Sequence, residues 1–212
     1  MGYHSIACQD HIYQDHMHQD IKLIQTSKFR VLDCLSEDLE SLLPCKITHG
    51  INTYEFICPE TSEKETLGSF CVFCIDCTYG TRTCSDKEAL EFFEISDHEI
   101  LSGYVEKLCD IDSKKLVGFY SLTKWFMSED GIIVIELGSL FVHPDFQRRG
   151  LGTVLFRRAI AAAKSFNCTK LQWISDPHAE LFYEAFGAVK TMYVHNILDP
   201  AVPSPWFELW LS

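Results

Sequence analysis

No apolar run in this sequence approaches the roughly 20 residues that a membrane-spanning helix needs. The start of the chain lacks the basic opening and apolar stretch of a secretory signal. Met1-Gly2 prompts a check for myristoylation, but Ile6 stands where that signal needs Ser or Thr. Basic residues are scarce. There are 18 Lys and Arg against 30 Asp and Glu, for a formal charge of −12. That balance argues against nucleic-acid binding unless a local basic patch exists. The visible clusters are Arg148-Arg149 and Arg157-Arg158. An acidic surface instead favours cationic amines as encounter partners. Low complexity is also missing from most of the chain. With 47% hydrophobic and 23% charged residues over 212 positions, one folded domain with extra segments is expected.

Cysteine is abundant, with ten in all. Without a secretory signal these read as reduced thiols, and the expected compartment is the cytoplasm. Cys71, Cys74, Cys77 and Cys84 have the spacing C-x2-C-x2-C-x6-C, a pattern that can hold zinc or an iron–sulfur cluster. Residues 70 to 77 are largely apolar, however. Read as a strand, they place Cys71 and Cys77 on one face and Cys74 on the other. Buried thiols are therefore expected, and no metal.

Residues 1 to 20 repeat Gln-Asp and carry His4, His11, His16 and His18, which reads as a polar tail. The alternative is adventitious metal binding through His11, His16 and His18. Ile21 to Gln25 is a candidate strand. Ser36 to Leu43 is a candidate helix, stopped by Pro44. Residues 45 to 85 give no clear pattern and predict an irregular or inserted region. Asp86 to Phe93 predicts a helix, and Ser96-Asp97-His98-Glu99 opens another. From Gly103 the reading sharpens to strands over 104–109, 116–122 and 132–142, a helix over 150–166, and a strand over 170–175. A helix over 179–186 closed by Gly187 follows, then strands over 189–194 and 206–211. The order is β-β-β-α-β-α-β-β, a mixed sheet carrying helices.

The segment Leu140-Phe141-Val142-His143-Pro144-Asp145-Phe146-Gln147-Arg148-Arg149-Gly150-Leu151-Gly152 runs from a strand through a loop into a helix. Gly150 and Gly152 allow close approach of a ligand to the backbone. The first helical amides have no partner within the helix, and with the dipole they suit an anion such as a pyrophosphate. Arg148 and Arg149 add positive charge. His143 is a titratable candidate, although its place before Pro144 suggests a turn role.

The string Gln-x-x-Gly-x-Gly in this strand–loop–helix setting resembles the acetyl-CoA signature of the GNAT (GCN5-related N-acetyltransferase) superfamily. Gly118-Phe119-Tyr120, Glu136-Leu137 and Asp176-Pro177-His178-Ala179-Glu180-Leu181-Phe182-Tyr183 resemble a bacterial GNAT subgroup. The likeness covers residues 103 to 195 well and 21 to 100 loosely. It implies an α/β (mixed α+β) GNAT acyl-CoA N-acyltransferase fold, with a mostly antiparallel sheet and helices on both faces. It implies acetyl-CoA as cosubstrate, held by Leu140, Phe141, Val142, Gln147, Arg148, Arg149, Gly150, Leu151, Gly152, Thr153 and His178. Leu140 and Val142 would offer backbone groups to the pantetheine arm, and the amides of 148–153 would hold the pyrophosphate. Tyr183 would protonate the departing thiolate, and Glu136 would serve as base, directly or through water. The implied reaction is direct attack of a primary amine, from a small molecule or a protein, in a ternary complex. The chain departs from the subgroup at His178, where Asn is common, and at Gly138-Ser139, where Asp-His is common. Those departures favour the alternative of a non-catalytic acyl-CoA-binding module. Trp206 and Trp210 suggest a surface for a homodimer.

Overall fold

The computed structural model describes residues 46–49, 52–80, 82–127, 130–196 and 198–211. The polar tail at 1–20 and the expected strand and helix at 21–25 and 36–43 lie outside the described residues. The elements begin with β1 (Lys46–His49), β2 (Asn52–Ile57), α1 (Lys64–Tyr79), α2 (Asp86–Phe92) and α3 (Asp97–Leu101). Then come β3 (Val105–Asp110), β4 (Leu116–Met127), β5 (Ile133–Val142), α4 (Leu151–Ser165) and β6 (Lys170–Ile174). The chain ends with α5 (Glu180–Glu184), β7 (Val189–Val194) and β8 (Ser204–Trp210). From β3 onward this is the order that the sequence predicts.

The eight strands form one sheet in the order β1-β2-β3-β4-β5-β6-β8-β7. Every neighbouring pair is antiparallel except β5 and β6, which are parallel. That parallel pairing is brief, covering only Val134 with Lys170, Ile135 with Leu171 and Glu136 with Gln172. Beyond Glu136, β5 runs six residues further without a β6 partner, so the two strands part.

The sheet is packed on both faces. On one face α4 sets Leu151, Leu155, Phe156, Ala159 and Ala163 against Leu108, Val117, Leu122, Ile135 and Leu171. Fully burying a side chain such as Leu155 contributes about 1.5–3 kcal/mol. Gly118 permits the close approach of α4, because a Cβ there would lie 2.5 Å from the Phe141 carbonyl oxygen and 2.8 Å from Leu155 Cδ1. On the other face Leu67, Cys71 and Ile75 of α1 join Phe93, Ile95 and Ile100 over Val105 and Phe119.

The expectation of irregular structure over 45–85 is corrected. That stretch holds β1, β2 and the sixteen-residue α1. The apolar run Phe70 to Ile75 hid the helix, because apolar residues lie nearly all round it and leave no 3.6-residue contrast to read. The strand reading of the cysteines falls with it. On a helix, Cys71 and Cys74 sit three residues apart on one inward face, and both are buried, while Cys77 is exposed. Burial pushes the Cys74 thiol up to about 12 and raises Cys71 further. Among the described residues no three His, Cys, Asp or Glu side chains are grouped to hold a metal ion. No helix among them is long and apolar enough to cross a membrane.

One charged cluster lies inside the core. Arg158 of α4 donates to both carboxylate oxygens of Glu106 on β3, at 2.7 and 2.8 Å, and Tyr120 of β4 donates to the same carboxylate. All three are buried. Arg158, half of the basic cluster Arg157-Arg158, thus ties α4 to the middle of the sheet.

Candidate active site

Three features converge where β5 ends. The first is its free edge. In an antiparallel ladder the backbone groups of alternate residues point to opposite sides. His143 N–H donates to the Val117 carbonyl at 2.7 Å. Ser139, Phe141 and His143 therefore spend their backbone groups on β4. Leu140 and Val142 direct theirs away from it, into the space left where β6 turns off. At Val142 that carbonyl accepts from the Gln147 side-chain amide at 3.1 Å and lies 3.8 Å from Cys74 Sγ.

The second feature is the turn into α4. His143 caps the short 3-10 turn Pro144–Phe146 through Nδ1, which accepts from Asp145 N–H, and its ring packs on Phe73 and Phe146. It thus has the turn role expected from its place before Pro144. Arg148 then adopts φ +59° and Gly150 φ +79°, with Arg149 between them outside the left-handed region. Alternation of this kind points successive N–H groups into one concavity, a nest suited to an anion. Arg149 folds back, donating to the Asp145 carbonyl at 2.6 Å with its guanidinium over the Phe146 ring. The N-cap of α4 is Gly150. No side chain caps the helix, and no acidic residue lies in its first turn. The amides of Leu151, Gly152 and Thr153 therefore have no intrahelical acceptor.

Gly152 supplies a test of fit for a ligand. A Cβ there would meet Phe182 ring carbons at 3.7 and 3.8 Å and Val142 Cγ2 at 3.9 Å, which are ordinary contacts. Nothing within the described residues requires glycine at this helical position. The missing side chain leaves room beside the free amides, as a bound pyrophosphate would need. The two exposed arginines match its charge.

The third feature is the pair of titratable residues flanking the strand divergence. Glu136 is the last β5 residue paired with β6, and its Oε1 accepts from Gln172 Nε2 at 3.1 Å. Its side chain lies on the α1 face, since its neighbours Ile135 and Leu137 join the α4 core. Tyr183 comes from α5 on the opposite face. It is buried among Phe156, Trp173, Phe182 and Phe207, with its ring 4.8 Å from that of Trp173. Burial, and secondarily the Asp176 carboxylate, pushes its hydroxyl well above the ordinary phenol range. His178 is exposed in the 3-10 turn before α5, where its N–H donates to Asp176 Oδ1 at 2.7 Å.

The structure thus gathers Leu140–Val142 and Gln147–Thr153 at one corner, with Glu136 and Tyr183 on the two sides of the strand gap. It also reveals residues that the sequence did not announce. The pairing of β4 with β5 shifts register so that Leu137 opposes Leu122 and Ser139 opposes Ser121. Gly138 is the extra residue of that bulge, and a Cβ on it would lie 2.2 Å from Thr123 Cγ2. Its signal in the sequence was the glycine itself, inside an otherwise branched strand. Trp173 brings an indole N–H that is buried without an acceptor among the described residues, next to Tyr183. No sequence pattern marked it.

Comparison with known proteins agrees with this geometry. Arabidopsis thaliana Naa50, solved in complex with the bisubstrate analogue CoA-Ac-MVNAL, superposes at a TM-score of 0.53 with 14% identity, covering 74% of this chain and 97% of that one. A GNAT-family acetyltransferase of Staphylococcus aureus Mu50 gives 0.55 with 18% identity over 75% and 99%. YncA of Salmonella typhimurium, solved with its cofactor acetyl-CoA, gives 0.54 with 17% identity over 75% and 94%. These likenesses establish the fold. The model of the Acetyltransferase (GNAT) family matches residues 72–188, more than half of the chain. By that match the chain belongs to the GNAT acetyltransferase family.

Proposed function

We propose that the chain is an acetyl-CoA-dependent N-acetyltransferase acting on a primary amine by direct attack in a ternary complex. The observation that carries the reading is the juxtaposition of the uncapped α4 start with the unpaired outer edge of β5. Backbone groups of Leu140 and the N–H of Val142, whose carbonyl is engaged by Gln147, suit the amides of a pantetheine arm, in the manner of an added strand. The amides from Arg148 to Thr153 suit its pyrophosphate. Bound there, acetyl-CoA supplies an activated acyl carbon and a thiolate leaving group.

The chain's own contribution is positioning and proton handling. Glu136 stands at the mouth of the gap, with one oxygen fixed by Gln172, and takes the proton from the ammonium form of the acceptor. Tyr183 holds its proton at neutral pH, because burial disfavours the phenolate. It gives that proton up to the departing sulfur. His178, next to Tyr183's helix, contacts the cofactor's flank. Turnover with release of free thiol, measured across an amine panel with mass detection of the product, tests the proposal. Acetyl-CoA binding with no product from any amine would favour the binding-module reading, which the side-chain departures at Gly138, Ser139 and His178 support.

A further inference from the structure

On the α1 side of the sheet, two rows of side chains lie beside the strand gap, one across β5, β6 and β8 and the other across β6, β8 and β7. The first row is polar. Glu136 neighbours Gln172, and Gln172 is the cross-strand partner of Glu208. The Glu208 carboxylate is neutralised by Lys170 at 3.1 Å. Glu136 has no ion pair among the described residues, and its recorded hydrogen bond uses only Oε1. A carboxyl group without an ion-pair partner among the described residues therefore stands at the gap.

The second row is apolar and lies two residues further along β6. Ile174 partners Trp206, and Trp206 partners Met192 across β7. Ile174 is 43% exposed and Met192 54%. Trp206 lies between them, on the face opposite the core residue Phe207. Strand spacing makes this row about 10 Å wide, and the two rows are about 6–7 Å apart. An exposed apolar strip beside a carboxyl group without an ion pair matches a ligand with a cation at one end and an apolar group at the other.

We infer that the acceptor is a small amphipathic monoamine, with its ammonium against Glu136 and an apolar group of aromatic size on the near part of the strip, Ile174 and Trp206. Ile174 lies one strand over from Glu136 and two residues along, about 8 Å away, which an arylethylamine spans, whereas Met192, three strands over, is about 16 Å off at the far end of the strip. A polyamine or an amino sugar would satisfy Glu136 but would leave the apolar row uncovered. The inference rests on the transferase reading only for the chemistry that follows binding.

The test is calorimetric titration of the chain with phenethylamine, spermidine and a Met-initiated pentapeptide, with and without saturating CoA. Phenethylamine should bind about tenfold or more tighter than spermidine, a difference set by the apolar area covered. Ile174→Lys, at an exposed position, should remove most of that preference, and Met192→Lys, at the exposed far end of the strip, a smaller part of it. Met192→Lys should leave CoA affinity unchanged. Equal or tighter binding of spermidine would overturn the inference, as would a preference indifferent to both variants. Tighter binding of the pentapeptide would also overturn it, by making the occupant a chain terminus. Sedimentation showing a dimer that Met192→Lys dissociates would assign the strip to a second copy and overturn it too. Thiol release is read separately. Phenethylamine binding without turnover would sink the transferase reading and leave the site assignment intact.

Discussion

Helices α2 and α3 begin in one way and α4 in another. Ser85 and Ser96 each accept from the third helical amide, and Glu88 and Glu99 reach back to the N-cap amides. Each start also has two acids in its first turn, Asp86 with Glu88 and Asp97 with Glu99. These ends satisfy their own orphan donors and their own dipoles. Helix α4 is the longest of the three, yet it starts on a left-handed glycine with neither cap nor acid. The contrast separates a helix start finished by the chain from one whose amides remain for something anionic from outside.

The largest expected effect comes from giving α4 the acid it lacks. Gly152→Glu places bulk and negative charge among the free amides, at a position where the backbone itself tolerates a side chain. Acetyl-CoA affinity should fall about a hundredfold or more while the fold survives. Calorimetry with a circular dichroism spectrum on the same sample checks both. Gly150→Glu should do the same with an added loss of stability, because φ +79° is strained for any residue but glycine.

Next comes Tyr183, the proposed proton donor. Tyr183→Phe keeps the ring in its aromatic cage and removes only the hydroxyl. The turnover number should drop by roughly 10²-fold with acetyl-CoA affinity little changed. Full turnover with a lowered melting temperature would make Tyr183 a packing residue alone.

The buried Arg158–Glu106 pair anchors the α4 start from two turns away. Arg158→Met alone should cost about 3–5 kcal/mol, because it strands the Glu106 carboxylate in the core. Arg158→Met with Glu106→Leu should recover most of that stability, as read by urea denaturation. The smallest effects belong to the finished helix starts. Ser85→Ala and Ser96→Ala should each cost about 1 kcal/mol and leave acetyl-CoA affinity untouched. A measurable affinity loss in either would blur the distinction between the two kinds of helix start.

Much of this was legible in the sequence, for physical reasons. From β3 to β8, periodicity and turn chemistry are strong, and the elements fall within a few residues of expectation. Ser96 and Glu99 announced their capping box, and Gly150 and Gly152 announced the open start of α4. The α1 helix was illegible because its exposed side is apolar there as well: Phe73 is 45% exposed, so Phe70 to Ile75 shows no polar face. The partner of Arg158 was hidden because Glu106 lies 52 residues away, joined to it only by tertiary packing. The strip of Ile174, Trp206 and Met192 was invisible for a similar reason. It exists only because β8 inserts between β6 and β7, which the sequence order does not disclose.

The most direct test of the account is amide hydrogen exchange, read residue by residue before and after saturation with acetyl-CoA. The account predicts new protection at Leu140, Val142, Leu151, Gly152 and Thr153, with no change at Glu88 and Glu99, whose amides their own serines already hold. Unchanged exchange at Leu151 to Thr153 in a sample shown to bind acetyl-CoA would contradict it, because the ligand would then lie somewhere other than the uncapped start of α4.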